Sequence, residues 1–329
     1  IAPSFIRFGS FELFASQNDI PNLKLLADYT ITNYYPEVNT TGKVKYIAFF
    51  KTVAEKTRDM IVHWQRVGFV HGVMNTDNMS IHGITIDYGP YGWLEDYNPN
   101  WTPNTTDAAE KRYRFGNQSN IALWNLYQLA NSLYPLIDEA APLEEILNNY
   151  AKKYDEEFLE MMLKKLGIAS KNDENENLIQ QLLYNLEQTE TDYTIFFRNL
   201  NQIEKTDSVE DCVVKITAAF YKPEEVTDII LETWHFWFAH YVTLLNKEIL
   251  SDNERKTLQN SVNPKYVLRN YMAQMTIELA EKEDYSLLNE LYKLLLYPYE
   301  EQPEFEKWFA KRPDWARQKI GSSMLSCSS

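Results

Sequence analysis

Cysteine is almost missing from this chain. Cys212 and Cys327 are the only two in 329 residues, too few for a disulfide framework and in keeping with a reducing compartment. Glycine is also scarce, at 10 residues, which disfavours an all-β fold and leaves room for helices. No apolar run approaches the roughly 18 residues of a membrane-spanning helix. Positive charge is in deficit: 32 Lys and Arg stand against 47 Asp and Glu, a formal net charge of −15. That balance argues against nucleic acid or an anionic membrane as the main partner. Neither G-x-G-x-x-G nor G-x-x-x-x-G-K-[ST] occurs, so phosphate cradling by a glycine-rich loop has no support in these residues. His235 and His240 lie five apart, whereas a zinc helix presents histidines at i and i+4. The aromatic run around them reads as a core or interface helix.

Apolar residues make up 44% of the chain and aromatic residues 14%, enough for a large core in one or two domains. Over 45–66 the apolar positions Ile47, Phe50, Val53, Met60, Ile61 and Trp64 share one helical face, which predicts a long helix. Residues 93–116, with Pro99 and Pro103, read as a loop. Helical spacing resumes over 121–136. From 143 onward helix follows helix, with breaks predicted at 167–177, at Lys222-Pro223 and at Asn263-Pro264. Pro223 followed by Glu224 and Glu225 predicts a helix start. The charged string 171–177 is expected to be an exposed, solvated loop.

The richest stretch is residues 71–92, HGVMNTDNMSIHGITIDYGPYG. Segments 78–81 and 84–87 read as two short strands joined at His82-Gly83, since Gly accepts positive φ in a tight turn. Such a hairpin would bring Asn78 and Asp87 together. An amide oxygen beside a carboxylate is a hard-oxygen ligand set that suits Mg²⁺ carrying nucleotide phosphates. Asp77 is then free to act as a base. Asn and Asp also favour turns for local reasons, so these residues alone admit a plain turn as well.

The pattern invites comparison with protein kinases, whose H-R-D-x-x-x-x-N loop and D-F-G supply the base and the metal ligands. His71 and Asn78 keep the kinase spacing, and Asp87-Tyr88-Gly89 stands for D-F-G. The base position, however, is Val73, which accepts no proton. The nearest carboxylate is Asp77. His71 reads as a structural residue that holds the loop by hydrogen bonds.

That departure resembles the selenoprotein O family, called YdiU in bacteria. The resemblance extends through the segments APSFIRFGSFE at 2–12, FGNQ at 115–118, NPKYVLRNY at 263–271 and PDWA at 313–316, and closes on SCSS at 326–329. It implies a kinase-like, pseudokinase-type fold that binds ATP in a flipped orientation and transfers AMP to protein hydroxyls. It implies Asp77 as proton acceptor, Asn78 and Asp87 as ligands of Mg²⁺ (Mn²⁺ as the alternative), Asp87 also against the nucleotide, and Arg7 as a nucleotide-contacting arginine. ATP is the implied co-substrate and proteins are the implied acceptors. The implied compartment is cytoplasmic in a bacterium and mitochondrial in a eukaryote. Cys327 occupies the position where some relatives carry selenocysteine, and Cys212 is its one intramolecular candidate partner. For NPKYVLRNY the expectation is packing.

The family's glycine-rich loop, phosphate-binding Lys and paired Glu fall upstream of APSFIRFG, and the sequence begins at Ile1. The expectation is therefore the C-terminal part of a longer protein, inactive on its own. The expected fold class is mainly α with a short β-hairpin: a kinase-like C-lobe core over 1–140 and a helical extension with a Cys-containing tail over 141–329. Two other readings stay open on the residues alone: a kinase-type phosphotransferase and a non-catalytic interaction module.

Overall fold

The computed structural model describes residues 2–171, 174–319, 321–322 and 325. Cys327, and with it the question of a bond to Cys212, lies outside the described residues. Cys212 itself is a buried thiol whose pKa burial pushes up to about 11.

The chain is mainly helical with one pair of short antiparallel strands. Three helices come first: α1 (Phe8–Ser16), α2 (Ile20–Tyr34) and α3 (Gly42–Val67). The last contains the predicted 45–66 helix and buries Tyr46, Phe49, Phe50, Val53, Met60, Ile61 and Trp64 along one face. It stops at Gly68, whose φ of 73° suits a residue without Cβ. Strand β1 (Phe69–Val70) follows at once and pairs with β2 (Gly92–Trp93) in the register Phe69↔Trp93 and Val70↔Gly92. These two strands close the base of the 71–91 segment.

The expected hairpin over 78–81 and 84–87 is reduced to a single bridge, Met79↔Thr85. Residues Thr76–Asn78 instead form a 3-10 turn. The competing partner is the N-terminal segment: Ile81 N–H donates to Ile6 O at 3.1 Å, Phe8 N–H donates to Met79 O at 3.0 Å, and Arg7 bridges Ser80.

The loop expected over 93–116 is irregular apart from the 3-10 turns Thr105–Asp107 and Phe115–Asn117. Helix α4 (Gln118–Ile137) then packs beneath α1 and α3, and α5 (Ala141–Leu166) lies along α3. One hydrophobic cluster joins α1 to α4 and the start of α5.

Helices α6 (Glu174–Gln188), α7 (Tyr193–Asn199), α8 (Val209–Ile216) and α9 (Asp228–Lys247) surround a second cluster with the end of α5. Its centre is Trp234, Trp237, Phe238 and Tyr241, all fully buried, so the aromatic run that carries His235 is a core helix. Two expectations are corrected here. Glu174 and Glu176 form the first turn of α6 and not a loop, because acidic side chains are stabilised at a helix N-terminus. Pro223 opens only the 3-10 turn Pro223–Glu225. The long helix begins later, where the Thr227 hydroxyl accepts from Ile230 N–H.

Helix α10 (Asp252–Val262) ends at Asn263, and α11 (Asn270–Ala280) and α12 (Ser286–Leu296) build a third cluster with Tyr266 and Trp308. Among the described residues no helix is long and apolar enough to cross a membrane.

Candidate active site

The 71–78 loop follows β1 and has no ladder of its own, so its backbone groups need other partners. Side-chain amides supply them. Gln118 donates to Phe69 O at 2.9 Å and accepts from His71 N–H at 3.0 Å. Asn104 donates to Gly72 O at 3.2 Å, Asn78 to Val73 O at 2.8 Å, and Asn125 to Met74 O at 2.9 Å. Three successive carbonyls after β1, those of Gly72, Val73 and Met74, are bound in this way, and Gln118, Asn125 and Asn104 are themselves buried. The loop is thereby held in one shape.

His71 is part of the frame. Its Nδ1 accepts from Val73 N–H at 3.3 Å, which leaves Nε2–H to donate to Ile86 O at 2.8 Å. Burial pushes its pKa down, against the Ile86 carbonyl and the Asp87 charge, so the ring is neutral at pH 7. The expected structural role is what the ring performs: it ties the 71–78 loop to the residue before Asp87.

Asp77 is exposed and its carboxylate carries no hydrogen bond among the described residues. A Cβ placed on Gly9 would overlap Asp77 Oδ1. Glycine at this position therefore lets the first turn of α1 lie against the carboxylate. Asn78 commits Nδ2 to Val73, so its Oδ1 remains uncommitted. Asp87 is exposed and adopts φ of 54°, a left-handed conformation that Asp tolerates. Arg7 is exposed, free of any carboxylate partner among the described residues, and its backbone pairs with Ser80. Arg7, Asp77 and Asn78 thus cluster around the start of α1. Asp87 follows Ile86, whose carbonyl accepts from His71 Nε2–H, and lies two residues beyond the Met79↔Thr85 bridge.

The donor set fits a hard divalent cation. Asn78 Oδ1 and the Asp87 carboxylate are oxygens without a competing partner, and Mg²⁺ completes its shell with waters and phosphate oxygens. Among the described residues no group of three or more His, Cys, Asp or Glu that could hold a metal ion gathers, at this site or any other.

Gly9, Gln118, Asn125 and Asn104 were not picked out from the sequence as part of the site. Gln118 and Asn125 had a usable signal: both stand on the face of α4 that also carries Ile121, Ala122 and Leu129. An amide at a core position demands a buried partner. Nothing local marks Asn104 or Gly9. The NPKYVLRNY string proves to be more than packing. Arg269 forms a buried two-pronged pair with Asp192 at 2.8 and 3.0 Å and also meets Glu95. Asn270 donates to Tyr91 O at 3.2 Å.

Comparison with known proteins bears on this geometry. Residues 1–296 match the family model described as protein adenylyltransferase SelO. The chain is 61% identical over 329 residues to a protein nucleotidyltransferase YdiU of Flavobacterium johnsoniae, covering all of this chain and 63% of that protein. It is 48% identical over 329 residues to the YdiU of Aromatoleum aromaticum, covering all of this chain and 62% of the relative. With the YdiU of Rhodopirellula baltica the identity is 45% over 345 residues, covering 64% of the relative. The chain thus spans somewhat under two thirds of the length of these curated relatives.

Proposed function

The chain belongs to the SelO family of protein adenylyltransferases, and from that premise we propose that this protein transfers AMP from ATP to Ser, Thr or Tyr hydroxyls of other proteins. Residues 1–140 carry the catalytic core in this reading, and 141–329 form a helical extension that braces it.

Asp77 accepts the proton of the acceptor hydroxyl. The hydroxyl oxygen then bonds to the α-phosphorus of ATP, the bond from that phosphorus to the bridging oxygen breaks, and pyrophosphate leaves. Arg7 offers its forked donors to phosphate oxygens, with a charge that persists at any physiological pH. Mg²⁺ or Mn²⁺, when bound by Asn78 Oδ1 and Asp87, supplies neutralisation of the phosphate charge. The amides of Gln118, Asn104 and Asn125 keep the loop from rearranging as charge develops, which is how preorganisation lowers a barrier.

The observation that supports this reading most directly is the contrast within one loop. Its carbonyls are bound by amides, while the Asp77 carboxylate and Asn78 Oδ1 are left free for a substrate and a cation. The test is the intact mass of an acceptor protein after incubation with the full-length enzyme, ATP and Mg²⁺. AMP transfer adds about 329 Da and phosphoryl transfer about 80 Da, as the two modes of attack on ATP require. A gain of about 80 Da would replace this reading by a kinase-type one. Asp87→Ala is expected to abolish the metal-dependent gain while the protein stays folded, and unaltered transfer by that variant would remove Asp87 from the metal site.

A further inference from the structure

The 105–117 segment carries three cations, Lys111, Arg112 and Arg114, against buried Asp107 and exposed Glu110, a small net positive charge in a strongly acidic chain. Lys111 and Arg112 are exposed and Arg114 is half-buried. None of the three meets a carboxylate among the described residues, although most Lys and Arg side chains elsewhere do.

The segment is rigidly built. The buried Asp107 carboxylate accepts from the backbone N–H groups of Arg112 and Tyr113, both at 2.8 Å. Asn117 holds Arg112 O at 2.7 Å and Arg114 holds Lys111 O at 3.1 Å. The negative charge of Asp107 is therefore spent on the backbone, and Arg112 and Arg114 are held close to the frame, over Trp124 and on Lys111 O. Tyr113 Oη donates to Asn75 Oδ1 at 2.5 Å, which sets the rim beside the loop that carries Asp77.

Behind the rim lies an apolar groove. The Arg112 guanidinium stands over the Trp124 ring at 4.7 Å. Trp124 and Tyr127 are 43% and 53% exposed, large values for such side chains. With Leu123, Leu147 and Ala151 they line a cleft of about 620 Å³ between α4 and α5, whose wall also includes Asn120, Asn148 and Glu144. Helix α4 begins at Gln118, after the 3-10 turn that follows Arg114, and has no acidic residue in its first turn.

We propose that Lys111, Arg112 and Arg114, with the Trp124–Tyr127 groove behind them, dock an acidic segment of the acceptor protein, an Asp or Glu at the rim and an apolar side chain in the groove. The proposal rests on the adenylyl-transfer reading above and names the class of acceptor sequence it prefers. Complementary charge at a rim steers encounter and fixes register. An aromatic pocket supplies the anchor.

The test uses the full-length protein and two labelled peptides of equal length, each with one serine. One carries Asp and Glu before a Leu, and in the other every acid is replaced by Lys. Fluorescence anisotropy reads binding, and intact mass reads transfer. The acidic peptide is expected to bind about tenfold more tightly, the sum of several modest exposed ion pairs, and to lose that advantage as salt is raised. Lys111→Glu with Arg112→Glu should abolish or invert the preference without changing the KM for ATP. Arg112→Lys should retain most of it. Trp124→Ala should erase the difference between the Leu peptide and its Ala analogue. Equal binding of the two peptides to the wild type, or an unchanged preference in the double variant, would overturn the proposal. Peptide preference without AMP transfer would count against the adenylyl-transfer reading alone. Transfer without preference would count against the docking surface alone.

Discussion

At the scale of single residues, the site depends on which polar atoms are committed and which are spare. Asp77 is surrounded by committed groups and has no partner of its own. Asp77→Ala should therefore leave nucleotide binding close to wild type and lower turnover by about 10²–10⁴, the usual contribution of a general base. Loss of ATP affinity with turnover kept at saturation would make Asp77 a ligand instead. Lys165 shows the opposite arrangement, a charge taken into the interior. It donates to Arg66 O at 2.7 Å, lies over the Phe197 ring at 3.9 Å and meets no carboxylate among the described residues. Burial, reinforced by Arg66, holds its pKa well below the ordinary lysine value. A base depressed in the folded state binds fewer protons there than in the unfolded chain, so stability rises with pH up to the unfolded value near 10.4. Melting temperatures from pH 7 to 10 should thus shift in favour of the wild type over Lys165→Met. Parallel profiles would show that the lysine stays charged.

At the scale of elements, the site is set by how α1 and α4 meet the loop between β1 and β2. Gly9 stands in the first turn of α1, where any Cβ would collide with Asp77 Oδ1. Its φ is not in the left-handed range, so alanine suits the backbone and the cost falls on the carboxylate. Gly9→Ala should keep the helix and the melting temperature near wild type, since alanine is the better helix former by about 1 kcal/mol. It should lower kcat more than the KM for ATP, because a misplaced catalytic group costs rate before affinity. A variant with unchanged kcat would mean that Asp77 turns aside freely without loss. Gly72 is under a harder constraint, with φ of 81° and a would-be Cβ that overlaps Pro90 O. It joins the loop to the strand after it as closely as a chain allows.

At the scale of the whole molecule, the first 100 residues are tied to the last 60 by one buried cluster of charge. Arg269 lies between Asp192 and Glu95, and Tyr221 Oη donates to Asp192 at 3.1 Å while accepting from Arg312 N–H at 3.0 Å. Asp192 also caps α7 through Ile195 N–H at 2.9 Å. Glu95 lies two residues after β2, so the strand that closes the 71–91 segment is anchored to α7 and to the approach to α11. Burial raises the Glu95 pKa, Arg269 draws it down and Asp192 pushes it up. Removing Arg269 strands two carboxylates in the interior. Arg269→Met should cost about 3–5 kcal/mol in urea unfolding at pH 7, as for other broken buried pairs. A carboxyl whose folded pKa is raised favours the folded state at low pH and loses that contribution as pH rises through the folded value. The deficit of the variant should accordingly shrink between pH 7 and pH 5. Wild-type stability in Arg269→Met would show that the cluster is a bystander to the docking of the two ends.

What the sequence determined by itself was the family and the helices. Helical periodicity is local, so the 45–66 face was readable and matched Gly42–Val67 to within a few residues. Asp77, Asn78 and Asp87 sit in one contiguous string, so a base beside hard-oxygen ligands could be proposed there without knowing the fold. The short strands were misplaced because alternation says that a segment can pair, not with what. Segment 78–81 had two candidate partners, and the N-terminal residues took most of it through Ile6 and Phe8. The acidic start of α6 was misread because charge reports exposure and says little about backbone conformation. Only the tertiary structure decided the support of the site. Asn125 reaches Met74 across 51 positions and Arg269 reaches Glu95 across 174. Such contacts leave no periodic trace in the chain, because each is a single polar atom whose partner is chosen by packing and by the cost of leaving it buried alone.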